Sequence, residues 1–135
     1  MKVLFVCRGN VGSSQAAMEI YNANASTLSE SAGTQVEDEA KIVGDRVGAN
    51  SIVSAIEEEG LDISRNTSRQ ITPAMVDEFD KVIVMAELSA VPRWLQDSPK
   101  TELWNIPDLK DVSLEEARST LSLIKEKVAE LKSRS

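Results

Sequence analysis

Residues 2–14, Lys2-Val3-Leu4-Phe5-Val6-Cys7-Arg8-Gly9-Asn10-Val11-Gly12-Ser13-Ser14, decide how the rest of the chain is read. Lys2 to Val6 is an apolar, β-branched run of strand length that stops abruptly at Cys7. Gly9, Asn10 and Gly12 then mark a tight loop. Gln15 to Ala25 is rich in alanine, with Ala16, Ile20 and Ala23 at helical spacing, and Ser13 or Ser14 is placed to cap that helix. The order is strand, loop, helix, and open α/β sheets bind ligands at such strand ends. Main-chain N–H groups from Arg8 to Ser14 can curl around a tetrahedral anion, the glycines permit the dihedrals this needs, and the helix dipole favours negative charge. Arg8, Gly9, Asn10, Val11, Gly12, Ser13 and Ser14 are therefore the candidate phosphate-binding residues, with Cys7 below them as a nucleophile.

The remaining segments alternate in the same way. Ser31 to Thr34 marks a short second strand, and Gln35 to Gly48 is polar, acidic and mostly loop. Asn50 or Ser51 can cap a helix running through Glu59, with Ile52, Val53 and Ile56 as its apolar stripe and Gly60 as its stop. Thr72-Pro73 opens a short helix carrying Met75, Val76 and Phe79. Lys81 to Met85 (KVIVM) has the near-continuous apolarity of a strand covered on both faces. Glu87 to Gln96 is helical in pieces interrupted at Pro92, and Thr101 to Ile106 is a last strand. Ser113 and Glu116 form a capping box, after which apolar residues recur at helical spacing to about Lys132. This pattern predicts an α/β fold of three layers, a doubly wound, four-stranded parallel sheet with helices on both faces.

Composition narrows the function. The 135 residues suit one domain spanning 1–135, and 41% hydrophobic with 27% charged residues is ordinary for a globular protein. With 22 acidic against 15 basic residues the surface repels polyanions, so nucleic acid is not an expected partner. No run approaches the roughly 20 apolar residues of a membrane helix, and the N-terminus lacks signal-peptide features, which points to the cytoplasm and away from membranes. One cysteine and no histidine exclude an internal disulfide and any Cys-His dyad, and they argue against a metal site or another cofactor. Trp94 and Trp104 are read as packing residues.

The stretch VLFVCRGNVGSS at residues 3–14 resembles the signature of the low-molecular-weight tyrosine phosphatases, V-L-F-V-C-x-G-N-x-x-R-S. Further similarity lies at Ser31 to Thr34, Gly60 to Ser64, Ser68-Arg69, Asp80 to Met85 and Trp104 to Asp108. The resemblance implies a phosphatase-type phosphate loop after the first strand. It implies Cys7 as the nucleophile that forms a phosphocysteine, Asn10 as the keeper of the loop's shape, and Ser14 as a hydrogen-bond partner of the thiolate. Asp108 would be the general acid, with Asp111 close enough in sequence to compete. Phosphorylated proteins or small aryl phosphates would be substrates, and inorganic phosphate a site ligand.

The chain departs from that signature at three places. Ser13 stands where the family has the arginine of C-x5-R, so a short neutral hydroxyl replaces a guanidinium that forks onto two phosphate oxygens. Arg8, Arg65 and Arg69 are the candidate substitutes. Gly12 occupies the position of a second loop cysteine, which removes a protective disulfide with Cys7. Leu109-Lys110 replaces residues that flank the acid in relatives. Three functions follow: a phosphomonoesterase working through a Cys7 phosphoenzyme and impaired by Ser13, an inactive phosphatase fold that binds phosphate or a phosphorylated partner, and an arsenate reductase served by an external thiol.

Overall fold

A computed structural model of the chain describes residues 1–134. The strands are β1 (Val3–Cys7), β2 (Glu30–Gly33), β3 (Lys81–Val84) and β4 (Thr101–Leu103), and the helices are α1 (Ser13–Asn22), α2 (Asn50–Glu57), α3 (Pro73–Val76), α4 (Arg93–Gln96) and α5 (Leu114–Ser133). All strand pairs are parallel, in the order β2-β1-β3-β4, with Cys7 opposite Gly33 and Val6 opposite Val84. The predicted four-stranded parallel sheet is what forms.

Strand β1 is buried along its whole length because both of its faces are covered. Val3, Phe5 and Cys7 point to the side of α1, α2 and α5, whereas Leu4 and Val6 point to the side of α3 and α4. Strand β3 alternates likewise, with Ile83 on the first face and Val82 and Val84 on the second. This two-residue alternation on a doubly covered sheet delivers Cys7 to the sheet's carboxyl edge on the same side as α1. Trp104 tilts against Phe5 at 6.0 Å between ring centroids and packs as expected.

Helix α5 is locked at its start by the predicted capping box: Ser113 Oγ accepts from the Glu116 N–H at 3.1 Å, and Glu116 Oε1 accepts from the Ser113 N–H at 3.2 Å. Its stripe of Ala117, Leu121, Ile124, Val128 and Leu131 is buried. Arg118 grips Glu58 at the end of α2 with two hydrogen bonds of 2.9 and 2.6 Å, and Lys125 pairs with Glu59. No helix among the described residues is long and apolar enough to cross a membrane.

Several boundaries differ from the sequence expectation for physical reasons. Helix α1 begins at Ser13 rather than Gln15 and ends at Asn22, and Gly12 precedes it with no side-chain cap, because the Ser14 hydroxyl is engaged by Cys7 and Asn10. Helix α2 grows directly from a 3-10 turn at Val47–Ala49, so neither Asn50 nor Ser51 caps it; Ser51 Oγ instead donates to the Val112 carbonyl at 2.6 Å. Strand β4 stops at Leu103, although the Trp104 N–H still reaches the Val84 carbonyl at 2.9 Å.

Glu102 on β4 collects three partners: Arg134 through both terminal guanidinium nitrogens, Lys81 Nζ at 3.0 Å and Trp104 Nε1 at 2.8 Å. Led by Arg134, they hold its carboxyl down from 4.5 to about 2, against the opposing effect of burial. A carboxylate depressed on folding adds stability at pH values above its unfolded pKa and loses it as pH falls through the folded one. Urea midpoints should therefore fall between about pH 5 and pH 2, and this part of the fall should flatten in Glu102→Gln. Independently, Ser113→Ala should lower the unfolding free energy by about 1 kcal/mol in urea titrations at neutral pH, with an unchanged m-value.

Candidate active site

Strand β1 places Cys7 at the base of the loop, where its Sγ lies 3.0 Å from Ser14 Oγ. Asn10, fully buried, organises what surrounds them. Its φ of +55° is a left-handed conformation that asparagine tolerates better than most residues. Asn10 Nδ2 donates to Ser14 Oγ at 2.8 Å, and its Oδ1 accepts the Arg69 N–H at 2.9 Å, which fixes the amide's orientation. Ser14 Oγ thus accepts from Asn10 while lying against the Cys7 sulfur, so that amide, hydroxyl and sulfur form one buried chain. The Asn10 carbonyl accepts from Gln15 Nε2 at 3.0 Å and from Ser68 Oγ at 2.9 Å.

The outer wall of the loop is the end of β2. Thr34 N–H donates to the Cys7 carbonyl at 3.0 Å and Gln35 N–H to the Arg8 carbonyl at 2.8 Å. Gly33 makes this approach possible, since a Cβ there would lie 2.8 Å from the Arg8 carbonyl oxygen and 2.9 Å from the Asn10 nitrogen. On the other side Gln15, nearly fully buried, ties the loop to the Thr67 carbonyl at 3.1 Å and accepts from Asn66 Nδ2 at 3.0 Å. None of the main-chain N–H groups from Arg8 to Ser14 donates to a protein acceptor among the described residues. A run of donors at a helix N-terminus is suited to an anion.

Ser13 is the first residue of α1 and only 4% exposed, and its hydroxyl makes no protein hydrogen bond among the described residues. Two of the three candidate arginines have their guanidinium engaged by other groups. Arg8 donates through Nε to Gln35 Oε1 at 3.0 Å, and Arg69 reaches along β2 to Glu30 Oε1 at 2.9 Å and the Ser31 carbonyl at 3.4 Å. Arg65 is exposed beside Asp62. The sequence reading missed Arg46, whose Nε is buried without a hydrogen-bond partner while its Nη2 donates to the Asp38 carbonyl. Its segment has no periodicity from which this could be foreseen.

The segment after β4 folds back over the loop. Leu109 is 2% exposed, and its Cβ lies 3.1 Å from where a Cβ on Gly12 would stand, with Ile52 on the same spot at 3.8 Å. Asp111, at φ +58°, donates its N–H to the Gly48 carbonyl at 3.0 Å. Asp108 is exposed, adjoins Leu109 and accepts the Lys110 N–H at 3.2 Å. The fold thus assembles Cys7, Asn10 and Ser14 tightly and keeps the carboxylates of Asp108 and Asp111 in solvent, with Asp108 beside the residue that touches the loop.

Comparison with known proteins agrees with this architecture. Residues 2–134 match the family described as low molecular weight phosphotyrosine protein phosphatase. A glutaredoxin arsenate reductase from Synechocystis sp. is 33% identical over 132 residues, covering 96% of this chain and 95% of the relative. Wzb from Vibrio vulnificus, solved with benzylphosphonate, superposes with a TM-score of 0.81 at 25% identity, covering 99% of this chain and 98% of that one. A low molecular weight protein tyrosine phosphatase from T. tengcongensis gives 0.82 at 22% identity, covering 100% and 99%. With the strand-loop-helix site and the whole-length match in agreement, this chain belongs to the low molecular weight phosphotyrosine protein phosphatase family.

Proposed function

We propose that this protein hydrolyses phosphomonoesters of the phosphotyrosine type through a Cys7 phosphoenzyme, at a rate limited by Ser13. The observation that carries the reading is the 3.0 Å contact of Cys7 Sγ with Ser14 Oγ beneath a loop whose N–H groups have no protein acceptor among the described residues. In the first step the Cys7 sulfur attacks phosphorus, a P–S bond forms, the P–O bond to the phenol breaks, and Asp108 gives its proton to the leaving oxygen. In the second, Asp108 takes a proton from water, the water oxygen attacks phosphorus, and the P–S bond breaks to release phosphate and the thiolate. Asp108 is preferred to Asp111 because it adjoins the loop-contacting Leu109, whereas Asp111 is pinned to Gly48.

A second reading, a phosphate-binding protein without turnover, is favoured by Ser13 itself and by arginines that turn elsewhere. The identity shared with an arsenate reductase favours a third, in which Cys7 attacks arsenate and an external thiol resolves the adduct.

With p-nitrophenyl phosphate, slow release of p-nitrophenol is expected, and Cys7→Ser should abolish it. Ser13→Arg should raise kcat/KM by about 10² to 10³, the value of one or two preorganised donors to the transition state. Residual activity in Cys7→Ser removes the phosphoenzyme, and absence of turnover before but not after Ser13→Arg selects the non-catalytic reading. Glutathione-dependent arsenate reduction without any phosphatase activity selects the third.

In the Ser13→Arg background, Asp108→Asn should lower kcat by about 10² or more, and Asp111→Asn should leave it within about threefold. The reverse ranking would reassign the acid.

A further inference from the structure

We propose that Ser51, in the first turn of α2, is a positioning residue: by donating its hydroxyl to the Val112 carbonyl it holds the segment that carries Asp108 against the phosphate loop, a refinement that rests on the phosphomonoesterase reading of Cys7 and Asp108. Ser51 Oγ meets that carbonyl at 2.6 Å, across 61 positions of chain. Residues 104–113, between β4 and α5, form neither helix nor strand, so tertiary contacts alone decide where Asp108 stands. A general acid works only within hydrogen-bond reach of the leaving oxygen, and a misplacement of about 1 Å can cost about 10² in rate.

The segment is pinned at three successive places. Leu109 lies with Cβ at 3.1 Å and Cδ1 at 3.6 Å from where a Cβ on Gly12 would stand. Asp111 donates its N–H to the Gly48 carbonyl at 3.0 Å, and Val112 receives the Ser51 hydroxyl. Asp111 has φ +58°, a left-handed conformation that a non-glycine residue keeps only where its surroundings impose it. The bonds to Gly48 and Ser51, on adjacent residues, supply that restraint. Asp108 Oδ1 accepts the Lys110 N–H at 3.2 Å, so its carboxylate moves with the pinned main chain.

Helix α2 connects these pins to the phosphate loop. Ile52 Cγ2 stands 3.8 Å from the same spot over Gly12 that Leu109 covers, and its neighbour Ser51 bonds the acid segment. One helical turn therefore sets the spacing between the two loops. The helix is itself fixed, with Ile52, Ala55 and Ile56 buried and Glu58 gripped by Arg118. Ser51 is free for this task because α2 grows out of the turn at Val47–Ala49 and takes no side-chain cap from it. A rigid support of this kind is what a reacting group on an irregular segment requires.

The test compares kcat/KM for phenyl phosphate and p-nitrophenyl phosphate in the native chain and in the Ser13→Arg background. Phenol is the poorer leaving group and depends more on proton donation. Ser51→Ala should lower kcat/KM about tenfold for phenyl phosphate and about threefold or less for p-nitrophenyl phosphate, while inhibition by inorganic phosphate stays within about twofold. Ser51→Thr, which keeps the hydroxyl, should restore most of the loss. Combined with Asp108→Asn, Ser51→Ala should change kcat/KM by less than about twofold, because a residue acting through Asp108 has nothing left to position. Equal losses on the two substrates, or full additivity with Asp108→Asn, reduce Ser51 to a structural support and overturn the proposal. A silent Asp108→Asn alongside an inactive Cys7→Ser also overturns it, while the phosphoenzyme stands. Residual activity in Cys7→Ser, or no turnover in either background, removes the phosphomonoesterase reading itself and this role with it.

Discussion

Asn10 stands where the chain has to turn with positive φ, and of the residues that tolerate this turn only one with an amide can also tie its neighbours together. Glycine would supply the dihedral without the hydrogen bonds. The Asn10 side chain bridges Ser14 Oγ on α1 and the Arg69 main chain beside β2, while its carbonyl receives Gln15 and Ser68. Each of these groups is buried or partly buried, and an unmet one costs about 1–3 kcal/mol, so the loop has few alternative shapes at comparable energy. The placement of the Ser14 hydroxyl beside Cys7 follows from this network rather than from any local preference of residue 14.

Close approach is the second constraint. Gly33 lets the end of β2 meet the carbonyl of Arg8, and Gly12 gives Leu109 a seat that brings the segment bearing Asp108 down onto the loop. Gly48 does the same for Lys110 and Asp111, which a Cβ there would meet at 2.9 and 3.2 Å. The absence of a second loop cysteine at position 12 thus carries a packing consequence as well as a redox one. A side chain at residue 12 would press on Leu109, and the proposed acid segment would have to rise.

What could be read from the sequence was what short-range rules govern. The doubly buried strand at Lys81, the capping box at Ser113 and the turn from Val6 into Cys7 each announce themselves within a few residues. The start of α1 did not, because Ser14 is taken by a sulfur seven residues back and an amide four residues back. The turns at Val43–Asp45 and Val47–Ala49 were read only as loop, since the first is held by carbonyls of Ser64 and Asn66 from a distant segment. Leu109's seat on Gly12, the unpartnered Nε of Arg46 and the exposure of Trp94 belong to the same class, decided by contacts far apart in the chain.

Ser13 separates the architecture of the loop from its charge. The hydrogen bonds that hold the loop run through Asn10, Gln15, Ser68 and the main chains of Thr34 and Gln35, and none involves the residue 13 side chain. Replacing a guanidinium by a hydroxyl therefore removes two charge-assisted donors to an anion without removing a support of the fold. What remains is a set of neutral dipoles at a helix N-terminus, which suits an oxyanion but would add less when charge grows on the equatorial oxygens during transfer. On the proposed reading, ground-state binding is thereby preserved better than transition-state stabilisation, the difference that separates a receptor from a catalyst. In such a site, contacts remote from the phosphoryl group would carry a larger share of substrate selection.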